Sequence, residues 1–121
     1  MILKYQEITE RIIGCSMKVH SFLGNGFQEV IYQRALGIEM NTETHYFERE
    51  KEMPVLYKGI VIGTRRVDFF VAQKIMIKLE DVHLAQAKNY LEAYNMEIGL
   101  LINFGAKSLE FKRIFNRLNQ D

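Results

Sequence analysis

The stretch Val67-Asp68-Phe69-Phe70-Val71-Ala72-Gln73-Lys74-Ile75-Met76-Ile77-Lys78-Leu79 decides how the chain is read. Residues 67–71 are β-branched or aromatic except at Asp68, the composition of a strand. Ala72-Gln73-Lys74 separates them from a second apolar run, 75–79, which reads as the antiparallel neighbour. An unpaired carboxylate inside an apolar strand is costly, so Asp68 has a partner, holds a metal or points to water on an alternating strand. The run closes on Lys78-Leu79-Glu80, and residues two apart on a strand point the same way. If the two strands pair, Asp68, Lys78 and Glu80 converge at one end of the hairpin. Two carboxylates there suit Mg2+, which prefers oxygen ligands, and an ammonium beside them orients water or stabilises charge developing on a phosphate. The competing reading is a solvated, charged strand end leading into a helix.

Working outward, residues 4–23 carry Ile8, Ile12, Cys15, Val19 and Phe22 at intervals of three and four, which predicts one apolar helix face. Gly24 supplies the stop, because glycine reaches positive φ cheaply, and Asn25-Gly26 continues the break. A second helix is expected over 27–40, with Val30, Ile31, Leu36 and Ile38 on its apolar side, followed by a loop at 41–44. Short strands are expected at 46–53, 55–57 and 60–62, the last two joined through a turn at Lys58-Gly59. Helical spacing returns over 81–94, with Asp81 as N-cap and Val82, Ala85, Tyr90 and Leu91 turned partly inward. Residues 98–104 form a near-continuous apolar run, as in a strand covered on both faces, and 109–115 alternate. The order predicts an α/β or α+β class: one domain over residues 1–121, a mixed sheet flanked by helices.

A length of 121 residues, 48% of them hydrophobic, suits a single core with little room for a second. Lys and Arg number 16 against 15 Asp and Glu, so no strongly basic footprint exists and any nucleic-acid site is a local patch. The single cysteine, Cys15, excludes an intrachain disulfide and sits among Ile12, Ile13 and Val19, as a buried, inert thiol would. Met1-Ile2-Leu3-Lys4-Tyr5 lacks the pattern of a secretory signal, and the apolar stretch around Leu100-Leu101-Ile102 is too short for a bilayer. A cytoplasmic, reducing setting with no membrane partner is the expectation.

Two further groups bear chemistry. In Gly26-Phe27-Gln28-Glu29-Val30-Ile31-Tyr32, Glu29 and Tyr32 share a helix face, and Glu29 lies in the first turn, where the helix dipole favours its charge. A helix start with a helpful carboxylate explains the same pattern. His83, Gln86 and Tyr90 follow one side of the third helix. No second His or Cys stands at ligand spacing to His83, so no zinc site is read.

Together these pieces resemble the GxxExxY proteins, a branch of the PD-(D/E)xK nucleases. The resemblance runs from about Ile8 to Ile114. It is carried by Val19-His20 with Leu23-Gly24-Asn25-Gly26, by 26–32, by Tyr57-Lys58-Gly59, by Arg66-Val67-Asp68, by Gln86 with Asn89-Tyr90-Leu91, and by 99–105. It implies a restriction-endonuclease-like fold, Mg2+ as cofactor, phosphodiester hydrolysis, and nucleic acid as partner, DNA ahead of RNA, with a homodimer or a protein partner also open. It implies Asp68 as the metal-binding aspartate, Glu29 as the helix glutamate that joins the site, and Gln86 with Tyr90 as the flanking helix motif; beside these, Glu80 is expected as a further metal carboxylate and Lys78 as the cation near the scissile phosphate. Arg65, Arg66, Lys112 and Arg113 are the candidates for backbone phosphates. One departure stands out. The family's second strand ends in Glu-x-Lys, whereas this one ends in Lys78-Leu79-Glu80 and runs at once into Asp81-Val82-His83. Aligned without a gap, Lys78 and Glu80 exchange charges relative to the family; aligned with one, the Glu-x-Lys segment is deleted. Both predict weak or absent Mg2+-dependent cleavage.

Overall fold

The structure, a computed structural model, describes residues 5–43, 47–79, 84–94 and 96–116, without the side chains of residues 43, 84–86 and 90. Helix α1 spans Gln6–Leu23 and α2 Glu29–Glu43; strands β1 (Phe47–Tyr57), β2 (Ile60–Val71) and β3 (Ile75–Lys78) follow; then come α3 (Leu84–Ala93), β4 (Ile98–Asn103) and β5 (Glu110–Phe115). The five strands form one sheet in the order β1-β2-β3-β4-β5. Its β1–β2, β2–β3 and β4–β5 pairs are antiparallel, whereas β3 and β4 run parallel with α3 as the crossover. The mixed sheet and the antiparallel partner of the Asp68 strand are as the sequence predicts.

Alternation along the buried strands divides the core. Phe69, Ile75, Ile77, Ile98, Leu100 and Ile102 pack with Ile12, Cys15, Val19, Tyr32, Leu36 and Met40 of α1 and α2. Met76 and Ile114 pack with Ala87 and Leu91 of α3, joined by Val67 and Met96. The helices therefore cover both faces, which is why β4 reads as an unbroken apolar run. Gly99 of β4 is required by this packing, since a Cβ there would meet Leu91 Cδ2 at 3.2 Å. At the chain's start, a hydrogen bond to the Glu97 carboxylate, with burial second, holds the Tyr5 phenol above its ordinary pKa.

Four expectations are corrected. Phe22 is 89% exposed and not on the inward face of α1, whose buried residues are Thr9, Ile12, Ile13, Cys15, Ser16 and Val19. The hydroxyls of Thr9 and Ser16 bond to carbonyls of their own helix, Thr9 to Gln6 O at 3.0 Å and Ser16 to Ile12 O at 2.9 Å, so polar residues occupy inward positions that hydropathy assigns elsewhere. On α2, Val30, Ile31 and Ile38 are exposed, and Tyr32, Gln33, Leu36 and Met40 are the buried stripe. The expected loop at 41–44 is helix as far as Glu43. Finally, the short strands are two long ones. Pro54 does not interrupt β1, because an edge strand spares one N–H. Lys58 and Gly59 turn the hairpin with φ of 51° and 80°, the left-handed pair that matches strand twist.

Most residues that carry the resemblance serve architecture. The Tyr32 ring stacks on Phe104 at a centroid distance of 4.7 Å and 8° between planes. Its hydroxyl donates to Gly24 O at 2.6 Å and accepts from Phe27 N–H at 3.1 Å, so one side chain clamps the α1–α2 turn. Gly24 itself sits at φ 76° and ψ −158°, the positive φ expected of a glycine stop, and its N–H donates to His20 O. His20 Nε2 donates to Ala106 O at 2.9 Å, tying α1 to the turn between β4 and β5. Tyr32→Phe keeps the stack and removes both hydroxyl bonds. Urea unfolding is expected to register a loss of about 1–2 kcal/mol for these part-buried groups.

Candidate active site

Strands β2 and β3 pair through Val71↔Ile75, Phe70↔Met76 and Phe69↔Ile77, and there the ladder opens. The next level would set Asp68 beside Lys78. Instead, side chains fill the gap: Leu79 N–H donates to Asp68 Oδ2 at 2.9 Å, and Lys78 Nζ donates to Arg66 O at 2.9 Å. On the other side of β2, Glu50 is level with Asp68 between the pairs Arg49↔Phe69 and Lys51↔Val67. It holds φ 54°, a left-handed conformation that costs a non-glycine residue on the order of 1–3 kcal/mol. The regular sheet is thus interrupted on both sides of Asp68.

Asp68 is 2% exposed, so the water-facing reading of this residue is set aside. Its other oxygen, Oδ1, accepts from Gln33 Nε2 at 2.9 Å. Gln33 is equally buried, and among the described residues its Oε1 has no hydrogen-bond partner. Sequence reading missed Gln33. The available signal was a polar residue one turn beyond Glu29 and next to the buried Tyr32, on the stripe Tyr32-Gln33-Leu36-Met40. One turn further, Gly37 lets Arg49 cross α2, where a Cβ would meet Arg49 Cδ at 3.3 Å.

The remaining candidates are placed as follows. Glu29 opens α2 and is exposed, with Gln33 one turn along. Lys78 is half-buried at the end of β3. Gln86 and Tyr90 stand one turn apart on α3, their side chains outside the described residues, and Glu80, Asp81 and His83 lie outside them altogether. Arg65, Arg66 and Lys112 are exposed, whereas Arg113 Nε donates to Thr9 Oγ1 at 2.9 Å. The structure therefore brings Asp68, Lys78 and Gln33 to one strand fork. Among the described residues, no group of three or more His, Cys, Asp or Glu gathers.

Among the described residues, the groups at the fork able to hold a metal are oxygens: the Asp68 carboxylate and the Gln33 carbonyl, which has no described partner. A hard divalent cation is the class of ion that such donors fit. No described helix is long and apolar enough to cross a membrane.

A mixed five-stranded sheet between helices, with a buried carboxylate where two strands diverge, is an α+β restriction-endonuclease-like fold. Residues 6–114 match the model of the PD-(D/E)XK nuclease superfamily, and the chain belongs to that superfamily. No curated protein and no solved structure matches it.

Proposed function

We propose that this chain is a slow, divalent-metal-dependent phosphodiesterase acting on nucleic acid, DNA ahead of RNA, within the GxxExxY branch of its superfamily. The observation that carries the reading is Asp68: a buried carboxylate, fixed from both sides, at an opening in the ladder. A bound Mg2+ would supply Lewis acidity toward the phosphate and make a coordinated water more acidic than bulk water. Asp68 holds the ion, with Glu80 and Glu29 as further carboxylates. Lys78 supplies positive charge beside the scissile phosphate, and Gln86 and Tyr90 flank it from α3. Arg65, Arg66 and Lys112 are exposed cations that meet backbone phosphates and set register without reading sequence.

Slowness follows from Lys78. It is a strand residue of β3, paired with Leu101 and level with Asp68, which favours the gap-free alignment over the deletion. An ammonium then stands where the family places a carboxylate. A ligand set displaced by about 1 Å costs roughly a hundredfold in rate. Cleavage assays on single- and double-stranded substrates with Mg2+ and Mn2+ test the reading. Slow cleavage that disappears in Asp68→Asn and in Glu80→Ala is expected; cleavage unaffected by Asp68→Asn refutes it.

A second reading, a silent nucleic-acid-binding domain, draws on the bonds themselves. Both Asp68 oxygens accept hydrogen bonds from the protein, and Lys78 donates to a backbone carbonyl, so these groups also serve the ladder end. Binding that weakens with salt, without cleavage under either metal, is its signature.

A further inference from the structure

We infer that Gln33 is a direct ligand of the divalent cation held at Asp68, binding it through the side-chain carbonyl oxygen Oε1. The inference rests on the metal-dependent reading above and adds a neutral oxygen to a site so far assigned only acids. The orientation of the carboxamide is fixed by chemistry. Nε2 donates to Asp68 Oδ1 at 2.9 Å, and a half-turn of the amide would set Oε1 against a carboxylate oxygen, acceptor to acceptor. The carbonyl is thus the end left over, on a side chain 2% exposed, and no described residue donates to it. An unpaired buried carbonyl is expensive, and native interiors seldom keep one without a role.

Charge says what belongs there. Asp68 is buried, yet the hydrogen bonds it accepts come from neutral donors, the Gln33 amide and the Leu79 backbone. A buried carboxylate met only by neutral hydrogen-bond donors is a favourable place for a cation. A hard cation accepts both oxygen types on offer, carboxylate and amide carbonyl. A single bound ion would satisfy the orphaned carbonyl and neutralise the carboxylate together, which a water molecule does not. Gln33 coordinates without adding charge, so it makes a weaker site than a carboxylate at the same position.

Mn2+ titrations of the full chain, followed by the electron paramagnetic resonance of the free ion, compare the native protein with Gln33→Met, Gln33→Glu and Asp68→Asn. Gln33→Met removes the oxygen, and affinity is expected to fall about tenfold. Gln33→Glu supplies an anionic oxygen, and affinity is expected to rise about tenfold, because affinity follows ligand charge. If Gln33 merely orients Asp68, both variants lose the donated hydrogen bond and both weaken binding, which overturns the assignment. Unchanged affinity in both Gln33 variants, with binding lost in Asp68→Asn, removes Gln33 and leaves the Asp68 site standing. A native chain that binds no Mn2+ removes both. Should Gln33→Met fail to fold, the sign of the Gln33→Glu shift decides.

Discussion

Asp68→Ala is expected to lower stability by about 2–4 kcal/mol, because it strands two buried donors at once, each worth about 1–3 kcal/mol when left unpaired. The Leu79 N–H and the Gln33 amide would both lose their acceptor, and the fork between β2 and β3 would lose the group that closes it. Asp68→Asn is a different experiment. Its remaining oxygen can keep the Leu79 N–H, and its new amide can donate to Gln33 once that carboxamide turns over, since Oε1 is unpartnered among the described residues. The asparagine variant should therefore stay within about 1 kcal/mol of the native chain while losing the charge that metal chemistry needs. Equilibrium urea unfolding with unchanged m-values measures the difference. Equal destabilisation by Ala and Asn would show that the carboxylate's charge, and not its hydrogen bonding, maintains the fork.

Phe69→Ala carries the largest expected stability effect, about 3–5 kcal/mol. Phe69 is fully buried, meets Phe47 edge-on at 5.6 Å and 67°, and lies under α2 at Gly37. Deleting the ring opens a cavity between the sheet and α2, next to the Gln33–Asp68 pair. Small domains are stable by only about 5–15 kcal/mol, so the thermal midpoint should fall far enough to be read directly by circular dichroism. A loss under about 1 kcal/mol would mean that the helices collapse onto the vacated space. Loss of Asp68-dependent function at temperatures where the variant is still folded would further show that the fork depends on packing beneath it.

The hairpin of Asp68 was legible because strand composition and the short turn at 72–74 are local signals, and β4 because burial on both faces leaves an unbroken apolar run. The inward stripes of α1 and α2 were not. Thr9, Ser16 and Gln33 are polar residues in buried positions, each made tolerable by a hydrogen bond that spacing cannot reveal. Asp68 was recognised as anomalous from its neighbours, but its partner lies far away in sequence, on a helix whose apolar residues Val30, Ile31 and Ile38 drew attention to the wrong side. The breaks expected at residue 54 and after residue 62 fall within strands that sheet pairing holds continuous, since cross-strand bonds override local punctuation at an edge.

The outer edge of β1 offers a long row of backbone groups, beside a hairpin tip where Leu56, Tyr57, Ile60, Val61 and Ile62 are exposed. Such an edge invites another chain to zip onto it. The left-handed kink at Glu50 and the missing N–H of Pro54 leave only Lys51, Glu52 and Met53 as uninterrupted extended backbone between them. A stacking strand would find its register broken within that short span, and two of those three residues are charged. The same distortion that frames Asp68 on one side of the sheet thus guards the other side against fibril-like self-association.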